Sequence, residues 1–403
     1  MSALRRYALV IAIVVGFVLG CVIGAAIGKP AAGLKPLGDF FVRLLRMLVT
    51  PLVIITVSAA VARIADIKRL GKIVVTTLFI FLVTSFLAAT MGLISGLAFE
   101  PGKGLGLKPP PEFKPPAPAT AVDVILSLIP LNFSDILGVA GLLQAIVFAI
   151  LFGVAVALTG EAGKPVVRAL TSLSEAMIKF TIIIMWIAPI GVFGYGAWLF
   201  ATYGAALLGA YAKLIGANYL VAIIYWLVFY SLVVRASGKS PVHYWRAIIE
   251  PITVAFTTRS SAATLPVNLR AAEKLGVPEH IRNLVLTVGC TVNMDGTALY
   301  QALCALFVAQ AYGISLEPYL YGLIAVMAML GSVATAAIPG GGLIMLAMVL
   351  GAAGLPLEGI GLIVAIDPIL DALRTSINAT GDTAYSTIIS RIFEGPRWWG
   401  KSS

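Results

Sequence analysis

The sequence predicts an all-α polytopic membrane protein. Three observations lead there. The 403 residues are 60% hydrophobic and only 11% charged, where a soluble domain carries about 25% charge, and the mean hydropathy is +1.01. Several apolar runs reach the roughly 20 residues a spanning helix needs. In the second half, such runs are interrupted by small polar clusters, which hydrocarbon tolerates only inside protein or around a wet cavity.

The elements follow in order. Residues 7–28 hold no charge and make a first span, retained because the run is too long for a cleaved signal peptide. Residues 38–62 make a second, with Arg43 and Arg46 near its start, and 72–99 a third. Residues 100–121 are rich in Pro and Gly and form an extracellular loop. Residues 122–159 are apolar but broken by IPLNFSD; 165–200 and 205–235 are two further long helices. Lys and Arg cluster at every second connection: Arg5 and Arg6, Arg63 to Lys72, Lys164 and Arg168, Arg235 to Arg246, and Arg391 to Lys401. That pattern predicts cytoplasmic N- and C-termini. The net charge of +10 is then explained by anionic lipid. No zinc spacing, phosphate loop or aromatic-basic interleaving suggests nucleic acid. Cys21, Cys290 and Cys304 sit in apolar segments as buried thiols. His243 and His280 lie apart from the polar clusters, and no nucleophile-base spacing predicts an enzyme.

Beyond about residue 240 the breaks begin. TTRSSAATLP (257–266), NMDGT (293–297) and SVATAAIPGGG (332–342) each interrupt an apolar segment. The first and third share a small-residue run ending at proline, and each precedes a helix with polar groups inside it. Paired interruptions of this kind point to a transporter substrate site. In NMDGT, Gly296 is expected to weaken the helix.

Residues 360–382, IGLIVAIDPILDALRTSINATGD, place charge in an apolar helix. At about 100° per residue, with Asp367 at zero, Asp371 falls at about 40°, Arg374 at about −20°, Asn378 at about 20° and Asp382 at about 60°. One stripe therefore carries all five. An ion-pair ladder is one reading, since Asp371 and Arg374 are three apart. The other is a pathway or binding site, the default for intramembrane charge. Three acids against one arginine leave negative charge to be met by another cation, for which Arg259 is a candidate.

These motifs, RSSAATLP (259–266), NMDGT, AAIPGGG and DPILDALRTSINATGD (367–382), with FVRLLRMLVTPLV (41–53) and LVTSFLAATMG (82–92) earlier, resemble the sodium-coupled glutamate/aspartate transporters over essentially the whole chain. That resemblance implies eight transmembrane helices and two re-entrant helical hairpins, in a plasma-membrane homotrimer working as an elevator. Residues 1–71 and 122–235 would be mainly scaffold and trimerisation region; 72–99 and 240–393 would be the transport domain. Within it, hairpin 1 spans about 240–276, a broken helix 277–312, hairpin 2 about 314–358 and a last helix 359–393.

It also implies roles. Asp371 takes the ammonium of aspartate or glutamate and Arg374 the side-chain carboxylate, as a bidentate fork. Asn378, Ser260 and Ser261 suit the α-carboxylate, with Arg259, Thr297 and Thr375 nearby. The backbone of Ile338, Gly340 and Gly342 closes over the ligand. Sodium ions, the coupling partner, are implied at Gly289, Asn293, Asn378 and Asp382, at Thr84, Ser85, Asn293 and Asp295, and at backbone groups of Thr291, Ser332, Val333 and Thr335, with Met294 between substrate and ion. The chain departs from the pattern at Ala262 (often serine), Ala334 and Ala337 (usually glycine) and Phe81 (an aromatic hydroxyl). A proton- or sodium-coupled dicarboxylate carrier of this fold would lack an amine partner, and Asp371 and Asp382 argue against it. A neutral amino acid carrier would strand Arg374 without a carboxylate.

Overall fold

A computed structural model describes residues 3–66, 71–109, 129–137, 141–335 and 340–400. Among them the regular structure is helical throughout. The first half supplies α1 (Ala3–Ile27), α2 (Lys35–Asp66), α3 (Lys72–Phe99), α4 (Leu142–Leu158), α5 (Lys164–Met185), α6 (Ala188–Tyr203) and α7 (Ala205–Ile224). A π-helical turn, Tyr225–Phe229, joins α7 to α8 (Tyr230–Ala236). Then come α9 (Pro241–Ala247), α10 (Ile249–Thr258), α11 (Ser261–Lys274), α12 (Glu279–Val292), α13 (Asp295–Ala311), α14 (Pro318–Ala334), α15 (Gly341–Ala352), the short α16 (Ile360–Ile363) and α17 (Asp367–Glu394).

Among the described residues, three helices are long and apolar enough to cross a membrane, Lys29–Ala59, Lys72–Phe99 and Ala206–Ala236, or four if one bent pair is a single span. The long helix expected over 165–200 is bent by 47° between α5 and α6. Pro189, in the first turn of α6, has no N–H to continue the ladder from α5. The expected break before 142 appears as a 3-10 turn, Phe133–Leu137, ahead of α4; residues 110–128, which include most of the expected loop, lie outside the described residues.

Two packing groups emerge. In one, α1 lies against α6, and α2 against α4, α5 and α6. Gly16, Gly20 and Gly24 recur every fourth residue along α1. A Cβ there would come within 2.6, 2.3 and 2.5 Å of the carbonyl oxygens of Pro189, Phe193 and Ala197. Small residues at this spacing let two membrane helices pack backbone to backbone. In the other group, α3 packs on α13 and α14, while α10, α11, α12 and α13 surround α17. The helix over 205–236 packs on α3, α13 and α17. It therefore joins the second group, although the sequence boundary at 235 assigned it to the first. The groups meet where α14 and α15 touch α2, and α15 touches α4.

Two helical hairpins stand inside the second group. In each, two short helices pack against one another: α10 with α11, and α14 with α15. The first turns at Arg259–Ser260, and the second pair is joined between Ala334 and Gly341. The positions 336–339, which hold Ala337 and Ile338, lie outside the described residues.

Candidate functional site

Four structural irregularities converge on one buried place. The first tip turns through Arg259, held left-handed at φ 50°, a conformation that costs a non-glycine residue about 1–2 kcal/mol. Such strain is characteristic of sites where position matters more than stability. Ser260 follows as an N-cap, its Oγ accepting from the Ala263 amide at 3.3 Å. Its hydroxyl serves the helix, and it is Ser261, rather than Ser260, that lines the cavity. The second tip presents Thr335 and Gly342 to the same space. The break in the α12–α13 segment adds Met294 and Thr297, and α17 adds Asp371, Arg374, Thr375 and Asn378. The cavity measures about 10 Å³, room for about one water.

Arg374 is the centre of this arrangement, 2% exposed. Its Nη1 donates to Asp367 Oδ1 at 2.9 Å, while Nη2 and Nε donate to Asp371 Oδ1 at 2.6 and 3.2 Å. The i,i+3 pair expected as a possible ladder does form. The guanidinium also lies over the Tyr300 ring, 4.2 Å from its centroid. Asp371 in turn accepts the Gly340 amide at 3.2 Å and the Thr375 hydroxyl at 3.4 Å. The second tip is thus fastened to the charged helix. Gln301 adds a further tie, donating to Gly342 O at 3.1 Å. A Cβ on Gly342 would sit 3.0 Å from Arg374 Cζ, so glycine there lets the lid backbone lie on the guanidinium. Asn378 donates to Thr297 Oγ1 at 2.9 Å and faces Met294 Sδ at 3.6 Å.

The helix break sits at Asn293 and Met294, whose ψ angles are 97° and 57°. Gly296 was expected to weaken the helix, yet it lies within α13. Its function is close approach: a Cβ would meet Arg374 O at 2.7 Å and Asn378 Oδ1 at 3.0 Å. The break releases the last carbonyls of α12 from helical partners and turns Asn293 toward α17. Asn293 Nδ2 donates to Asp382 Oδ1 at 2.9 Å. Asn293 Oδ1 and Asp382 Oδ2, both buried, have no hydrogen-bond partner. A Cβ on Gly289 would fall 2.3 Å from Asp382 Oδ1; only glycine admits the carboxylate. Two orphaned buried oxygens on hydrogen-bonded side chains suit a hard cation.

Asp295 is fully buried and receives five hydroxyls. Thr84 and Ser85 donate to Oδ1 at 3.2 and 3.0 Å; Tyr225 and Tyr230 donate to Oδ2 at 3.0 and 3.1 Å, joined by Tyr385. The three tyrosines were not among the expected site residues. Phe81, the position lacking an expected hydroxyl, packs its ring 5.8 Å from that of Tyr385. Tyr225 and Tyr230 are five apart, about 140° around an α-helix. The π-helical turn between them brings both to one face, a use for which π-bulges recur at functional sites.

The third expected ion site is less assembled. Thr291 is exposed and bonds back to Val288 O at 3.1 Å. Ser332 and Thr335 bond back to Met329 O and Gly331 O, both at 2.7 Å, and Val333 is half-buried. These hydroxyls are occupied by their own helix, which leaves backbone carbonyls as the groups on offer. No cluster of three or more His, Cys, Asp or Glu exists among the described residues.

The chain is similar to known proteins over most of its length. The model of the sodium:dicarboxylate symporter family matches residues 9–392. A proton/sodium-glutamate symport protein of Bacillus caldotenax is 32% identical over 90% of this chain and 88% of its own length. A C4-dicarboxylate transport protein of Rhizobium johnstonii is 34% identical over 89% of this chain and 83% of its own. The proton/sodium-glutamate symport protein of Bacillus subtilis is 32% identical over 89% and 86%. With its helical hairpins, its charged last helix and this match along almost its whole length, the chain belongs to the sodium:dicarboxylate symporter family.

Proposed function

We propose that the chain is a sodium-coupled symporter that takes up aspartate or glutamate. The observation that carries this is the convergence of both hairpin tips, the helix break and the charged helix on Arg374 and Asp371. An acidic amino acid brings one ammonium and two carboxylates. Asp371 answers the ammonium, Arg374 a carboxylate, and Asn378, Thr297, Thr375 and the Ser261 end of the first tip the rest. A plain dicarboxylate would instead press a second carboxylate on Asp371 and bring no ammonium to it. Asp367 and Asp371 are balanced by Arg374 and Arg259, so bound aspartate adds one net negative charge. Asp295 and Asp382 add two more. Buried charge of that sign needs cations, and the oxygens around Asn293, Asp382 and Asp295 are where sodium ions enter.

The substrate enters after the second tip lifts and Arg374 leaves Asp371, which frees that carboxylate for the ammonium. Ile338 belongs to this lid by analogy. The group of α3 and α7 to α17 is the transport unit. It slides as an elevator against a scaffold of α1, α2 and α4 to α6, in a homotrimer with eight spans, two re-entrant hairpins and both termini in the cytoplasm of a plasma membrane. No step in this cycle makes or breaks a covalent bond.

Isothermal titration of the purified protein in sodium chloride tests the recognition chemistry. Aspartate, succinate and asparagine differ by the ammonium and by one carboxylate. Aspartate is expected to bind at least about tenfold more tightly than either, one good charged contact being about 1.5–3 kcal/mol. Succinate binding as tightly as aspartate would favour the dicarboxylate relatives' chemistry instead.

A further inference from the structure

A larger cavity lies outside the central site, where the turn after α8, the helix α9 and the end of α11 meet. It measures about 430 Å³, and its wall holds Lys239, His243, Arg246 and Lys274, with Ala247 and Leu275 beneath. No acid lines it. The neighbouring acids have other partners: Glu250 takes Arg270 at 2.5 Å, Glu273 takes Arg282 at 3.2 Å and Glu394 faces His280 at 3.3 Å. Among the described residues, Lys239, Arg246 and Lys274 have no ion pair. Three like charges around one concavity repel each other, and burial already lowers the pKa of the Lys239 ammonium. An anion in the cavity relieves both.

The rim identifies which anion. Lys239 Nζ stands 5.4 and 5.2 Å from the ring centroids of Trp398 and Trp399. Trp398 is buried and donates Nε1–H to Ser237 O at 2.9 Å, which anchors the C-terminal turn against the cavity. Trp399 stays 40% exposed, and Val242, next to His243 in α9, and Ile249, three residues after Arg246 at the start of α10, are 56% and 61% exposed. Tryptophan and bare aliphatic surface beside a basic pocket are what a membrane-water boundary favours. A soluble anion uses only the charges; a phospholipid uses the charges and the apolar rim together.

We propose that this cavity binds the phosphate headgroup of an anionic phospholipid, with Arg246 and Lys274 on the phosphate oxygens and acyl chain over Val242 and Ile249. The bound lipid ties α8 and α9 to the base of the first hairpin. It does not depend on which substrate the central site takes.

The test is thermal unfolding of the detergent-purified full chain with phosphatidylglycerol, with phosphatidylcholine or with sodium phosphate alone, alongside native mass spectrometry for retained lipid. Phosphatidylglycerol is expected to raise Tm by several degrees and to remain bound, while the other two do neither. The double variant R246Q/K274Q should lose the increment and the retained lipid. Lys164→Gln, a lysine paired with Glu161 elsewhere, should keep both. Lys274→Gln alone, at an exposed helix end, serves if the double variant does not fold and should lose most of the increment. An equal Tm rise in wild type and in the variants would overturn the assignment. So would a full rise from inorganic phosphate alone, which would make the cavity a soluble-anion site.

Discussion

Arg374 carries more of the site than any other side chain, because three groups on two helices depend on its position. It satisfies Asp367 and Asp371 and stacks on Tyr300. Removing one partner of a buried ion pair costs about 3–5 kcal/mol, and lysine cannot serve both acids with a planar fork. Arg374→Lys is therefore expected to weaken aspartate binding by about 100-fold or more, measured by titration, while sodium-induced changes in the apo protein persist. Loss of both together would point to misfolding rather than recognition. Gly289 is the sharper probe of the proposed ion site. A methyl group 2.3 Å from Asp382 Oδ1 must displace the carboxylate. Gly289→Ala should raise the sodium concentration needed for half-maximal aspartate binding by about tenfold or more, with binding recovered at high sodium. Gly209→Ala, where an added Cβ meets nothing within 4 Å, is the control and should not change it.

At the scale of elements, the hairpins, the broken helix and the charged stripe were all legible in the sequence. Each was announced by residues that contradict their surroundings: small polar runs, an amide and a carboxylate in an apolar segment, four ionisable groups on one helical face. What escaped was anything set by contact between distant segments. Tyr225, Tyr230 and Tyr385 look like ordinary aromatics of apolar helices. Only a π-turn and the packing of α8 and α17 bring their hydroxyls to Asp295. Gly296 carried a real signal that was misread, because a glycine near a break suggests flexibility while this one serves close packing. The grouping of 205–236 with the second unit likewise depends on tertiary contacts, whereas the bend at Pro189 is local. The tyrosine cage makes its own prediction. A hydrogen bond to a charged group contributes about 1.5–3 kcal/mol. Tyr230→Phe should therefore shift the sodium dependence of aspartate binding severalfold or more, and the same change at Tyr203, whose ring lies 6.3 Å from Trp198 in α6, should not.

For the whole molecule, one contact between the two packing groups is ionic. Arg46 of α2 pairs with Glu358, just before α16, at partly exposed positions. Such a pair contributes at most about 1 kcal/mol. If the groups slide past each other during transport, the pair breaks in each cycle. Arg46→Ala should then alter the maximal uptake rate severalfold while leaving aspartate affinity in sodium unchanged, and a change in affinity alone would argue against a seam that moves.

The central claim is that acidic amino acid and sodium occupy one buried assembly and cross together. The most direct measurement is uptake of labelled aspartate into proteoliposomes under inward gradients of sodium, potassium or protons at matched membrane potential. The account predicts accumulation against the aspartate gradient with sodium and none with potassium or protons alone. Accumulation that is indifferent to sodium would contradict it.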